Sequence, residues 1–349
     1  MDRVTLNDVA VRARVSLATV SRALNQPALV RDSTVRRVRE AAADLNFRPN
    51  LVGRNLRART TRTLGVVLPT LANTVFADCF QGIECATRLQ HYSVMLTTTG
   101  YRVEEELAVT EELLRHRVDG LILTVANAAQ SPVLDMLDRE NVPYVLVYNQ
   151  SPHPQRQTVS VDNRTAAKDA VRHLISIGHR SIRMVTGNFR ESDRAQLRYE
   201  GYRDAMRAAG LAPQRPVEVP LHTVVASEAL AECLRGHNPV SALFCSNDLL
   251  AISVVSGLLR LGLQVPGDMS VVGFDGVDLG TLLYPALATV VQPSRDIGES
   301  AVDTLLARLR GDVPGRSVVL DHSLRIGETA MRFAPRPTSH AIRRPNRRN

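Results

Sequence analysis

From Leu64 to Phe274 short apolar runs alternate with amphipathic helical segments, and this alternation restricts the fold more than any other feature of the chain. Leu64–Leu68 is followed by a helical stretch over about 76–90, then come the runs Ser93–Thr97, Leu121–Thr124 and Tyr144–Tyr148, each with a helical segment before it. The cycle restarts near Val159, with runs at Ile182–Thr186, Leu243–Ser246 and Val271–Phe274 and helices near 165–177, 195–209 and 248–261. Strands separated by helices pair in parallel and are covered on both faces. Two successive sets of this size imply two similar lobes. Open sheets of this kind bind ligands beyond the carboxyl ends of their strands, so two facing lobes place a ligand between them.

The first 62 residues obey a different period. Leu6, Val9, Ala10 and Ala13 share one helical face after Thr5, which can cap the helix with Asp8 as its capping-box partner. After a tight turn at Arg14-Val15, Ser16 can cap a second helix whose Val20, Ala23 and Leu24 face inward. A third helix is expected from about Ser33 to Leu45. Two helices joined by so short a turn form a helix-turn-helix. Residues 47–62 follow as a Pro-broken segment, a short run Leu51–Ala58 too brief to be a stable helix alone, and a polar linker.

Charge separates these regions. Residues 1–62 carry 13 Arg against 5 acidic residues and residues 332–349 carry 6 Arg and no acid, within a chain whose net charge is +8. The stretch between them is therefore acidic, and a basic head of this size suits a polyanion such as DNA. The tail is rich in Pro and Arg, has no apolar period, and is expected to be disordered. Cys79, Cys85, Cys233 and Cys245 form no close pair and read as buried thiols in a reducing compartment. With no apolar run long enough to span a bilayer and no signal-peptide pattern at Met1–Leu6, the expected location is the cytoplasm.

Val4-Thr5-Leu6-Asn7-Asp8-Val9-Ala10, Val15 to Asn25 and Asn46-Phe47-Arg48-Pro49-Asn50 together closely resemble the head of the LacI/GalR family of lac-repressor-type regulators. Gly178-His179-Arg180, Ser246-Asn247-Asp248, Val265-Pro266, Ser270 to Asp275 and Thr289 to Pro293 resemble that family's ligand-binding domain. The resemblance implies an all-α helix-turn-helix head plus an α/β two-lobed body like a type-I periplasmic binding protein, in which the chain crosses between lobes three times. The expected divisions are a head over 1–46, a hinge helix and linker over 47–62, a two-lobed effector-binding and dimerisation domain over 63–331, and the tail over 332–349. Lobe 1 takes about 63–160 plus 294–318, and lobe 2 about 161–293 plus 319–331. Two positions depart from the family pattern. Arg14 stands where the turn usually has Gly, a steric cost if that position needs positive φ. Arg31 stands where Ser usually starts the third helix, leaving Asp32 or Ser33 to cap it.

The resemblance implies a dimeric, operator-binding regulator that mostly represses. Its second helix would enter the major groove, with Leu17 and Ala18 against thymine methyls and Arg22 on guanine. Packing is the alternative for Leu17, and a phosphate contact the alternative for Arg22. Ser16, Thr19, Ser21 and Asn25 would fix register on phosphates, and Thr5, Asn50 and Gly53 complete the expected DNA-contacting set. Leu56, with little core around it, would wedge between central base pairs of a pseudo-palindromic operator. In the body, Arg198 and Asp275 are expected to anchor a small-molecule effector, a sugar or related metabolite, unless they only pair with each other or with neighbours across the lobes. Asn149 and Asn247 sit at equivalent strand ends, and Phe76 could supply an apolar wall. Trp, a common stacking platform for sugars, is absent. No cofactor or metal is expected: Walker A, GxGxxG, HExxH and GxSxG are missing, and the nine His show no ligand spacing. His179, in a Gly-His-Arg turn, is expected to be structural. Two rival readings are a periplasmic-type solute-binding protein without a regulatory role, and an enzyme acting on a sugar or nucleotide. The basic head argues against the first, and the lack of a catalytic pair against the second.

Overall fold

A computed structural model describes residues 4–47, 60–220, 230, 240–312 and 316–334. The chain divides into two compact units between Thr61 and Arg62.

In the head, α1 (Leu6–Ala13), α2 (Leu17–Asn25) and α3 (Asp32–Asp44) enclose Val9, Ala13, Val20, Ala23 and Val38, all wholly buried. The capping box at α1 closes as its sequence predicts: the Thr5 N–H donates to Asp8 Oδ2 at 2.7 Å and the Asp8 N–H to Thr5 Oγ1 at 3.4 Å. Arg14 ends α1 in the left-handed region, with φ 53° and ψ 48°. That is the conformation a Gly would take freely, and here it holds the turn while the Val15 N–H reaches back to Ala10 O at 3.1 Å. Ser16 caps α2 through the Thr19 N–H at 3.1 Å. At α3 the expectation fails. Neither Asp32 nor Ser33 caps it, because the helix already begins at Asp32 and Arg31 occupies the cap position without a side-chain bond. Asp32 instead places its charge in the first turn, where the helix dipole favours it.

The body contains two six-stranded sheets. Sheet 1 is built from β1 (Thr63–Leu68), β2 (Ser93–Thr98), β3 (Gly120–Leu123), β4 (Tyr144–Val147), β5 (Thr158–Val161) and β11 (Val318–Leu320), in the order β11-β5-β4-β3-β1-β2. Sheet 2 uses β6 (Ile182–Gly187), β7 (Val217–Val219), β8 (Ala242–Cys245), β9 (Ser270–Asp275), β10 (Ala288–Val291) and β12 (Ser323–Arg325), in the order β12-β10-β9-β8-β6-β7. The pairings are parallel except β10 with β12. The chain passes between lobes after β5, after β10 and after β11. Around sheet 1 stand α4 (Thr74–Leu89), α5 (Val103–Arg115), α6 (Pro132–Arg139) and α10 (Ser294–Leu309); around sheet 2 stand α7 (Asn163–Ser176), α8 (Asp193–Ala208) and α9 (Asp248–Arg260). Helices α4 and α10 approach so closely that a Cβ on Gly298 would lie 2.1 Å from Cys79 O.

Three helices start two residues earlier than their apolar period suggests: α8 because Ser192 Oγ accepts the Ala195 N–H at 3.3 Å, the other two because of an Asx residue. Asn73 caps α4 through the Val75 N–H at 3.3 Å, and Asp162 caps α7 through the N–H groups of Arg164 and Thr165. His179 is structural: its ring nitrogens lie 2.9 Å from Ser241 Oγ and 3.1 Å from Met331 O. The tail, expected to be disordered from Arg332, is held at its start. The Phe333 N–H donates to Ile177 O at 2.8 Å, and its ring sits 5.5 Å from the His179 ring. Residues 335–349 lie outside the described residues. Cys79 and Cys245 are buried, whereas Cys85 is only half-buried and Cys233 falls outside the described residues.

Candidate functional site

On the head, the α2 face turned away from the core is formed by Leu17, Ala18, Ser21, Arg22 and Asn25. Leu17 is 50% exposed despite being apolar, so helix packing does not account for it. Ala18 and Arg22 are exposed beside it, and among the described residues the Arg22 guanidinium has no partner. Ser16 and Thr19 are partly engaged in capping, their hydroxyls 2.8 Å apart, and the Asn25 amide donates to Ser21 O at 2.8 Å. Thr5 is tied into its capping box. Asn50, Gly53 and Leu56 lie outside the described residues.

In the body, the structure brings Phe76, Arg198, Asn247 and Asp275 to one cavity between the lobes. Asp275 ends β9, and Asn247, which follows β8, caps α9 through the Leu250 N–H at 2.9 Å. Arg198, on the second turn of α8, is buried. Its Nε donates to Asn163 Oδ1 at 2.9 Å, its Nη1 donates to Ser246 O and lies 3.4 Å from Asp275 Oδ1, and its guanidinium carbon stands 3.6 Å over the Phe274 ring. Burial lowers the Arg198 pKa to about 10, which still leaves it charged at neutral pH. Burial pushes the Asp275 carboxyl up, against the pull of Arg198 and of the amide donors Asn73 and Gln292. Gln292 Nε2 donates to Asp275 Oδ1 at 2.9 Å, and Asn73 Nδ2, from lobe 1, to Oδ2 at 3.1 Å. Opposite stand three aromatic rings in edge-to-face contact: Phe76 lies 5.3 Å from Tyr148 and 6.4 Å from Tyr101 between ring centroids. The lobes close on this site, leaving about 30 Å3 of space, room for a water or two.

Asn149 is not in the cavity lining. Its amide donates to both carboxylate oxygens of Asp193 at 2.9 Å and to Val125 O, so it ties lobe 1 to the start of α8. Asp193 also accepts from the Ala128 N–H at 2.9 Å, and Arg194 Nη1 donates to Val125 O at 2.8 Å. Behind that seam Glu106 accepts the Ala126 N–H at 2.6 Å, and burial pushes its carboxyl up to about 7. Sequence reasoning missed Asn73, Tyr101, Gln292 and Arg194. The first three follow β1, β2 and β10, so the strand-end rule, applied to every strand, would have found them.

Residues 5–50 match the family described as bacterial regulatory proteins, lacI family, and residues 171–330 match a periplasmic binding protein-like domain. Catabolite control protein A of Priestia megaterium is 34% identical over 319 residues, 90% of this chain and 96% of that protein. The HTH-type transcriptional repressor CytR of Escherichia coli (strain K12) is 32% identical, over 89% of this chain and 91% of its own length. Among solved structures, the lac repressor dimer bound to operator and the anti-inducer ONPF superposes with a TM-score of 0.84 at 27% identity, covering 95% of this chain and all of that one.

Proposed function

Because the chain belongs to the lacI family of bacterial regulatory proteins and is a DNA-binding transcription regulator, we propose that it is a homodimeric repressor whose effector binds at Arg198 and Asp275. The observation that carries this reading is the bond across the cleft, where a carboxylate of lobe 2 is held by Asn73 of lobe 1 in a space lined by three aromatic rings. A polar ligand entering there exchanges that bond for its own hydroxyl or carbonyl contacts, with Arg198 and Asp275 as fork and carboxylate. The rings offer an apolar face to a sugar or related metabolite. Such a ligand shifts the regulator only by its different affinity for the two lobe arrangements.

The division of labour follows from this reading. Residues 1–46 read a pseudo-palindromic operator, 47–62 form the hinge with Leu56 as its wedge, 63–331 bind effector and dimerise, and 332–349 form the basic tail. The protein works in the cytoplasm, where its operator lies, and its cleft binds without catalysing. The dimer seam is assigned to the exposed apolar surface of α9 and the loop before β10, where Leu259 is 49% and Tyr284 93% exposed beside a groove of about 530 Å3. Monomeric proteins seldom leave such a patch open.

The test begins with a thermal-shift screen of sugars and related metabolites, in which a ligand at 100 times its Kd adds about 2.7 kcal/mol. Operator sites are selected from random duplex DNA. Arg198→Ala is expected to abolish the response to the screened metabolite while leaving operator affinity intact. An unchanged effector affinity in that variant removes Arg198 from the site.

A further inference from the structure

The carboxylate of Asp275 is held in an unusual backbone conformation, with φ at 119°, followed by Gly276 at φ 80°. Few side chains adopt such a φ, and it persists only where neighbours over-determine it. Gly276 admits no substituent, since a Cβ there would lie 2.6 Å from Val291 Cα. Every remaining polar backbone group of Gly276 and Val277 is gripped from outside the loop. Both N–H groups donate to one oxygen of the buried Asp248 carboxylate, at 2.8 Å each, and the other oxygen accepts from the Thr289 hydroxyl at 2.5 Å. Both carbonyls accept from Arg325, Gly276 O from Nη2 at 2.8 Å and Val277 O from Nη1 at 3.2 Å.

Arg325 is not on a strand that borders β9. It ends β12, two residues of linker and one short strand after the chain leaves sheet 1 at Leu320, and its Cα pairs with Thr289 across the β10–β12 ladder. One guanidinium therefore joins the last crossover between lobes to the backbone that carries Asp275. We infer that Arg325 is a positioning residue, which together with Asp248 sets the Asp275 carboxylate in the cleft and ties that setting to the interlobe crossover. The inference rests on the reading of Asp275 as an effector anchor, although its test needs no effector. A planar fork that meets two carbonyls at once is a task for Arg, because a Lys ammonium is a single point charge.

The experiment is amide hydrogen exchange on the full-length protein, wild type against Arg325→Met and Arg325→Lys. Met keeps the stem and removes the fork. The Gly276 and Val277 amides are expected to exchange roughly tenfold faster in the Met variant, with Lys intermediate and the β9 amides of Val271–Phe274 unchanged, because the loop opens locally. Unchanged exchange at Gly276 and Val277 in the Met variant overturns the inference. So does equal acceleration throughout sheet 2, which would make Arg325 a general support of the sheet edge. Failure here leaves the Arg198–Asp275 anchor standing, and an unresponsive cleft leaves the clamp standing, so the two readings fail separately.

Discussion

Glu106 gives a direct numerical test of how burial behind the interlobe seam shifts a carboxyl. It is buried on α5, where it accepts the Ala126 N–H at 2.6 Å and lies near the Asp193–Arg194 pair. Burial is the leading cause that raises its carboxyl from 4.5 to about 7; the Ala126 N–H and Arg194 oppose it, and Asp193 adds to it. A carboxyl that ionises at higher pH in the folded chain binds more protons there than in the unfolded chain. Its contribution to stability is therefore complete below pH 4.5 and is lost as pH rises through 7. At 1.36 kcal/mol for each pH unit between the two values, the loss by pH 8 amounts to about 3 kcal/mol. Glu106→Gln keeps an oxygen for the Ala126 N–H and removes the charge. The variant is expected to be more stable than wild type by about 2–3 kcal/mol at pH 8, by less than about 1 at pH 5, and by nothing at pH 4. Urea unfolding followed across that range measures the difference, which is read as a shift of midpoint at constant slope. A Gln variant less stable than wild type at pH 8, or a pH-independent difference, would refute the argument that desolvation governs this carboxyl.

Three further outcomes are expected. Arg22→Ala should weaken operator binding by about 1–3 kcal/mol and relax preference at one base position per half-site, whereas uniform weakening on all sequences would assign Arg22 to phosphate. Operator affinity should fall roughly a thousandfold between 50 and 200 mM salt if about six phosphates are contacted, and a flat response would count against the basic head. Tyr284→Asp should shift sedimentation from dimer to monomer without loss of the folded body; a variant that remains dimeric places the seam elsewhere.

Much of this was legible because period and spacing are local properties. The alternating runs gave seven of the twelve strands to within a residue and a start near β5, but not β7, β10, β11 or β12, which are short or lie beyond the alternation, and the Thr5–Asp8 and Ser16–Thr19 spacings gave their caps. Arg14 shows where a departure from a pattern keeps its geometry: the turn needs positive φ, and an Arg adopts it. Arg31 shows the reverse, since losing a capping Ser there left the cap position without a side-chain bond. What the sequence hid was chiefly which side of a strand end faces the cleft. Asn149 and Asn247 occupy equivalent ends of β4 and β8, yet Asn149 bonds to Asp193 and Val125 while Asn247 lines the cavity. The clamp on Asp275 was also hidden, because Asp248, Thr289 and Arg325 are brought together only by strand order.

The cleft's charges are satisfied by its own residues, and this bounds how an effector can act. The lobes are joined through Asn73 to Asp275 at the cavity, and through Asn149, Ala128 and Val125 to Asp193 and Arg194 beside it. Each such bond contributes about 1 kcal/mol net, somewhat more where a charge takes part. A ligand that displaces only the Asn73–Asp275 bond, and replaces it better in one lobe arrangement than in the other, changes the balance by an amount of that order. Coupling free energies of about 1–3 kcal/mol correspond to roughly 5- to 150-fold changes in operator affinity. The seam at Asp193 and Arg194 need not break for such a switch. It can keep the lobes in register while the Asp275 side of the cleft reports on the ligand, so substitutions at Asn149 and at Asn73 should both move the lobe equilibrium without effector, and those at Asn73 should in addition change the effector's share of it.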